Sequence, residues 1–368
     1  MSPEKKAAQF PCPGCAADMQ FDPATGGMKC PFCGQTQALP AAGGRESVPP
    51  HGFDEYVAAG AAKFQPLTGQ ALQVSCDGCG SVVSFEPPEV AGTCPFCGAG
   101  LVAQPKATDP LIAPDGLLPA KVPKEQATAE IKQWLASRWF APNALKRFAR
   151  PEGINGVYLP FWDYDADTDS RYTGARGQHY FETEYYTETD NDGNTVQRER
   201  QVMRTAWYPC AGEVSRRFDG VLVAASRAVH EDKLDALEPW DLEAMRPYEP
   251  AYIAGFKAQR YQLELPGGLE KAKDVMQGTI REDVRRDIGG DEQQIHQIET
   301  AYANVMFRHL LLPVWIGAYR FRDKVYQVAV NARTGEVQGE RPYSAAKIAM
   351  LVAAVLILIA LIVVLRSR

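Results

Sequence analysis

The spacing of apolar positions changes character several times along this chain of 368 residues. Near the N-terminus, Met19 with Phe21, and Val82 and Val83 with Phe85, predict brief strands, and a short helix is expected around 54–63. Over 124–140, Ile131, Trp134, Leu135 and Trp139 recur at helical spacing, and Pro142 marks the end of that helix. The pattern then turns to period two. Strands are predicted over 157–167, continuing through Arg171 to Thr173, then over 180–187, 195–208 and 220–225, with Asp190-Asn-Asp-Gly193 as a hairpin turn. A helix is expected near 228–237. Another over 269–287 uses Ala272, Val275, Met276, Ile280 and Val284 as its apolar face. Strands return over 295–305 and 310–321, and 325–331 closes a hairpin with 336–337 around Arg333-Thr-Gly335. The last segment has neither period: Ile348 to Leu365 is an unbroken run of 18 apolar residues between Lys347 and Arg366. At 1.5 Å per residue a helix of that run measures about 27 Å, close to the ~30 Å hydrocarbon core of a bilayer. A helix buried in a core is the competing reading, but this run is uncharged and apolar on every face.

The strongest chemical pattern lies in the cysteines. Cys12, Cys15, Cys30 and Cys33 read C-x2-C-x14-C-x2-C, and Cys76, Cys79, Cys94 and Cys97 repeat that spacing 64 positions later. The pairs sit in turn-forming sequences. Three carry Pro after the first Cys, and Gly34, Gly80 and Gly98 each follow a second Cys, where a knuckle needs positive φ. The expectation is two zinc ribbons, each holding one structural Zn2+ in a closed four-thiolate shell with no position left for water. About 30 residues bury too little apolar surface to fold alone, so the metal would supply folding energy. Disulfides or free thiols are the alternative. No signal peptide precedes the cysteines, and C-x-x-C knuckles suit a reducing compartment. The ninth cysteine, Cys210, has no partner in sequence and reads as a small buried residue.

The expected class is therefore α+β. Zinc ribbon one occupies 10–39, a linker 40–73, ribbon two 74–103, a Pro-rich linker 104–118, a mixed antiparallel-sheet and helix domain 119–343, and a transmembrane helix 346–365. Leu159-Pro-Phe-Trp162 and Leu312-Pro-Val-Trp315 begin strands alike, marking either two related sheet halves or coincidence. Arg341 and Lys347 before the apolar run nearly balance Arg366 and Arg368 after it, so orientation rests on the thiols, which place the bulk of the chain in the cytoplasm at the inner membrane.

Charge narrows the partners. Residues 1–104 hold five Lys/Arg (Lys5, Lys6, Lys29, Arg45, Lys63) against nine Asp/Glu, and Lys29 is the single cation inside either ribbon. Nucleic-acid affinity depends on neutralising phosphates, so such ribbons suit a protein partner better. Catalytic patterns are missing. His230-Glu231 starts like a zincin, but Leu234 replaces the second His; there is no G-x-S-x-G and no phosphate loop. Asp163, Asp165, Asp167 and Asp169 alternate and would share one strand face, read as solvated because an EF-hand's Gly and Glu are lacking. No enzymatic role is expected.

Two double-knuckle cysteine sets, a mixed domain with Leu-Pro-x-Trp strands and a C-terminal apolar helix together resemble a family of bacterial zinc-ribbon membrane proteins. Members of that family are encoded beside relatives of phage shock protein A and SPFH (flotillin-like) proteins. The resemblance implies a tail-anchored adaptor that docks protein partners at the membrane in an envelope-stress module. Such proteins are often labelled relatives of the primosomal replication helicase (replication factor Y). That label rests on the knuckles, covers under a third of the chain, and lacks the helicase's phosphate loop. It would imply nucleic-acid binding linked to replication or transcription.

Overall fold

The computed structural model describes residues 10–39, 44–59, 72–75, 82–85, 91–94, 100–102, 112–142, 154–189, 195–227, 229–321 and 324–366. The expected turn at 190–193 lies outside them, as do Cys76, Cys79 and Cys97. The class is α+β. The strands among the described residues are β1 (Gln20–Asp22), β2 (Gly27–Lys29), β3 (Thr36–Gln37), β4 (His51–Gly52), β5 (Leu72–Ser75), β6 (Val82–Phe85), β7 (Ala91–Thr93), β8 (Gly100–Val102), β9 (Gly116–Leu117), β10 (Asn155–Thr189), β11 (Thr195–Ala224), β12 (Arg246–Pro247), β13 (Lys257–Ala258), β14 (Glu292–Phe321), β15 (Lys324–Asn331) and β16 (Val337–Gly339). Five helices among the described residues are α1 (Phe53–Ala59), α2 (Lys124–Ser137), α3 (Glu231–Asp235), α4 (Leu265–Ile288) and α5 (Ala345–Arg366).

The main sheet runs β11-β10-β14-β15-β16, and these neighbours are antiparallel. Its strands are far longer than the periodicity suggested: β10 has 35 residues, and β11 and β14 have 30 each. Stretches that read as breaks, 174–179 and 209–218, stay in unbroken pairing between β10 and β11, and bulges interrupt the register at a few places. Register shifts fall at Tyr164/Ala166 against β11 and at Asp165/Asp167 against β14. The extra residues there are Gly220 at φ 89 and Asn304 at φ 51, residue types that tolerate the left-handed region a bulge demands. The two Leu-Pro-x-Trp segments face each other, with Leu159 paired to Leu312 across β10 and β14.

Helix α4 lies on one face of this sheet. Leu269, Ala272, Met276, Ile280 and Val284 are buried with Tyr164, Tyr172 and Phe218. Val275, expected on the apolar face, is 56% exposed, because the sheet covers a narrower stripe than the run of apolar residues offered. Gly268 allows the closest approach: a Cβ there would stand 2.5 Å from Tyr164 Oη and 2.7 Å from Trp162 Cδ1. Tyr164 Oη donates to Leu265 O (2.6 Å) and Trp162 Nε1 to Leu263 O (2.8 Å), fixing the start of the helix. Helix α2 buries Ile131, Trp134 and Leu135 in a separate cluster with Val328, Val330 and Val337. Its last helical residue is Ser137, short of the expected 140.

The described parts of both expected linkers are woven into the domain. Within 40–73, β4 pairs with β14 and Tyr56 of α1 packs edge-on against Phe307 at 5.0 Å. Within 104–118, β9 runs parallel to β14, and Leu117 and Leu118 are fully buried. The turn propensity of those Pro- and Gly-rich stretches is real, but their isolated apolar residues find sites on the sheet.

The alternating aspartates are the clearest correction to the sequence reading. Asp163 is 0% exposed. Arg308 Nη1 donates to Asp163 Oδ2 (3.0 Å) and Asp165 Oδ2 (2.9 Å), while its Nε donates to Val48 O (2.8 Å). Arg45 Nη2 reaches Asp165 Oδ1 (2.9 Å), Asp219 Oδ1 (2.6 Å) and Asp163 Oδ2 (3.5 Å). Asn304 Nδ2 donates to Asp167 (2.8 Å), and Ser215 Oγ to Asp169 (2.5 Å). The first two aspartates are thus the anionic floor of a buried ion cluster that ties 44–48 to the sheet, with arginines distant in sequence as partners.

Beyond the Gly177–Glu292 pair, β14 ends and β10 and β11 continue as a two-stranded arm. On one face Glu182, Glu184 and Glu188 meet Arg204, Arg200 and Arg198. Phe181 pairs with Met203 on the other, and Tyr185 and Trp207 share that face.

Burial pushes the Asp163 carboxyl up to about 6, with Arg45 and Arg308 pulling it back. Between the ordinary aspartate value and about 6 the fold holds this proton and the unfolded chain does not, so this group lowers stability as pH rises through that window. Arg308→Met strands the buried carboxylate and is expected to cost about 3–5 kcal/mol at neutral pH. The deficit should shrink as pH falls from neutral toward about 6, because without Arg308 the Asp163 carboxyl is pushed higher still and takes up its proton first, and it should level off below that, where both forms hold the proton. Thermal unfolding in detergent at neutral and mildly acidic pH checks both parts.

Candidate metal centre

The first four cysteines converge. Cys12 and Cys30 are buried, Cys15 and Cys33 are exposed, and all four Sγ atoms lie within 4.8 Å of one another. Cys12 and Cys33 sulfurs are 3.4 Å apart, and those of Cys15 and Cys30 are 3.5 Å apart. A disulfide needs about 2.05 Å, so these are four separate sulfurs. Ligands at about 2.3 Å around a tetrahedral ion such as zinc stand about 3.8 Å from each other; the two close pairs fall a few tenths of an ångström short of that, and all four sulfurs lie within 4.8 Å. The cluster could hold one metal ion with a full shell of soft donors.

Each knuckle is closed by its own backbone. Ala16 N donates to Cys12 O (2.8 Å), and Gly34 N donates to Cys30 O (3.0 Å). Gly14 N donates to Cys12 Sγ (3.4 Å). Gly34 sits at φ 76, and Ala16, at the equivalent place in the first knuckle, sits at φ 58. Alanine therefore occupies a conformation that costs an L-residue about 1–2 kcal/mol.

The electrostatics favour a cation. The Cys33 backbone N–H, helped by that of Phe32, pulls the Cys30 thiol down to about 6 against the opposing effect of burial. The Gln35 N–H pulls Cys33 down, yet the sulfurs of Cys12, Cys30 and Cys15 push it up to about 12. Crowded sulfurs cannot all ionise on their own, whereas a divalent ion compensates all four and displaces the remaining protons.

This small lobe is docked. Met19, Phe21 and Met28 are buried together with Leu117, Trp134, Tyr158 and Tyr252. Phe21 meets Tyr252 edge-on at 5.6 Å, and Phe21 N donates to Ala254 O (2.9 Å). The opposite end of the lobe faces solvent, where Phe32, between Cys30 and Cys33, is 82% exposed. The sequence offered Met19 and Phe21 as strand residues but gave no sign that they dock on Tyr252, which lies more than 200 positions away. Cys210 is partly buried against the α4 cluster.

Of the second set, Cys94 is described and buried. The strands around it repeat the first lobe. A bridge between Pro11 and Asp18 brackets the first knuckle, and the Ser75–Val82 pair stands 64 positions later. Strands β2 and β3 bracket Cys30 and Cys33; β7 and β8 bracket Cys94 and Cys97 at the same offset. The two-hairpin layout is thus common to both regions.

This chain is similar to a protein of Bacillus subtilis (strain 168) described as "Uncharacterized protein YdjG", with 26% identity over 344 residues that cover 92% of each chain. No family model matches, and no solved structure matches.

Cys30→Ser is expected to cost the purified chain one equivalent of metal, read by elemental analysis, and to loosen the Met19, Phe21 and Met28 contacts. Ala16→Gly relieves the positive φ and should slow metal loss to a chelator, by an amount corresponding to about 1 kcal/mol. A rate unchanged or faster than that of the unaltered chain would show that the knuckle stores no strain.

Proposed function

We propose that this protein is a membrane-anchored adaptor whose zinc ribbons grip partner proteins on the cytoplasmic side of the inner membrane. The observation that carries this reading is the closed four-sulfur cluster docked on the same domain that ends in α5. That helix has 22 residues, a mean hydropathy of 3.5 over its most apolar window, and no part of that window buried. Four soft ligands leave no open coordination position, so the metal organises a surface instead of a reaction. The ion in this reading is Zn2+, with a second in Cys76, Cys79, Cys94 and Cys97, supported by the shared hairpin layout. Reduced thiolates favour the cytoplasm for the domain.

Phe32 supports a protein partner. A large aromatic on a rigid, metal-closed knuckle is the kind of residue that anchors interfaces. Phe96 occupies the corresponding sequence position between Cys94 and Cys97. The acidic balance of the N-terminal region weighs against the nucleic-acid reading. The family resemblance supports relatives of phage shock protein A or SPFH proteins as partners, within an envelope-stress module. The reading assigns the chain no catalysis.

The test is affinity capture from detergent-solubilised membranes. The unaltered chain is expected to retain discrete protein partners. Phe32→Ala with Phe96→Ala should lose them while keeping two equivalents of zinc, and Cys76→Ser with Cys79→Ser should lose both partners and one zinc. Partner sets identical in all three preparations rule out the ribbons as the grip. Salt-sensitive recovery of DNA or RNA by residues presented on the intact chain would favour the helicase-related label instead.

A further inference from the structure

The base of α5 is tied to a distant part of the chain. Ser344 N donates to Phe140 O (2.8 Å), and Lys347 Nζ donates to Trp139 O (2.8 Å) and Ala141 O (2.9 Å). Lys347 immediately precedes the apolar run that starts at Ile348. If that run spans a bilayer, the boundary between hydrocarbon and headgroups falls at this junction, and these bonds bring residues 139–141 to the same level. The side chains found there suit that level. Trp139 is 54% exposed and Tyr343 61% exposed. Phe140 packs edge-on against Trp139 at 4.9 Å, and Arg341 lies over the Tyr343 ring with its Cζ 5.5 Å from the centroid. Trp and Tyr, apolar in body and polar at one end, collect at membrane interfaces. A lone exposed Trp needs no explanation, but here three aromatics stand beside the base of the helix, at the height where lipid headgroups would meet them.

We propose that Trp139, Phe140 and Tyr343 form a second membrane contact, an aromatic collar seated in the lipid headgroup layer around the base of α5. The collar rests on the reading of α5 as a membrane span. Its partner is the lipid surface itself. It joins the end of α2 to the bilayer, so the domain is held at a set tilt and does not swivel on its anchor.

Tryptophan quenching by brominated lipid tests this. Of the six tryptophans, Trp134, Trp162, Trp240 and Trp315 are buried, and Trp207 pairs with Gly177 at the root of the two-stranded arm. The full chain is reconstituted into vesicles of phosphatidylcholine and phosphatidylglycerol, with bromine near the top of one acyl chain. Quenching is expected for the unaltered chain and should vanish in Trp139→Phe, which keeps an aromatic at the position and removes only the reporter. Vesicle flotation is run on the same samples. Chain that floats with the vesicles and shows no quenching, or equal quenching in both forms, overturns the collar alone. Chain that does not float overturns the membrane span and the collar with it.

Discussion

Strand β10 is hydrogen-bonded along both edges from Phe161 to Gly177, to β11 on one side and β14 on the other. Nearly everything else follows from that. A strand with both edges satisfied can be buried on both faces, and β10 is buried almost without interruption from Val157 to Tyr164. One face needs α4, and Gly268 lets that helix settle onto Trp162 and Tyr164. The other residues of the strand feed two more clusters, one built with α3 and one with α2 and the metal lobe. The buried arginine Arg308 is a consequence of the same burial. Asp163 points inward from a strand with no exposed edge, so its charge has to be met inside the protein.

The sequence showed the kinds of element more clearly than their extent. Period-two patterning placed β10, β11 and β14, but it divided each into pieces, because polar stretches such as 209–218 remain in regular pairing and bulges reset the alternation without ending the hydrogen bonding. Gly220 and Asn304 mark those resets and are visible only once the pairing is known. The helix over 265–288 was legible from Ala272, Met276, Ile280 and Val284, all of them buried. The first cysteine cluster was legible in full, since C-x-x-C spacing dictates local geometry. The aspartates were not. Alternation says that Asp163 and Asp165 share a face, but whether that face meets water or an arginine over 140 positions away is set by tertiary packing.

The docking of the metal lobe has a further meaning for the proposed adaptor. Phe21 and Met28 are committed to the domain, so only the knuckle end, with Phe32, remains available. A metal held there would serve two faces at once: it would complete part of the domain's core and stiffen the loop that a partner would meet. In that reading, loss of the ion damages the fold and the recognition surface together.

The arm beyond Gly177 obeys different rules from the rest of the sheet. Among the described residues, no third strand and no helix covers it, and two strands alone have few buried contacts to resist fraying. Its cross-strand Glu–Arg ladder is exposed, and exposed ion pairs weaken as ionic strength rises. Amide protons there should exchange with solvent long before those near Asp163, and sooner still in concentrated salt. The long hairpin therefore joins two regimes along one continuous pair of strands: a root as durable as the whole domain, and a tip whose order answers to the ions around it.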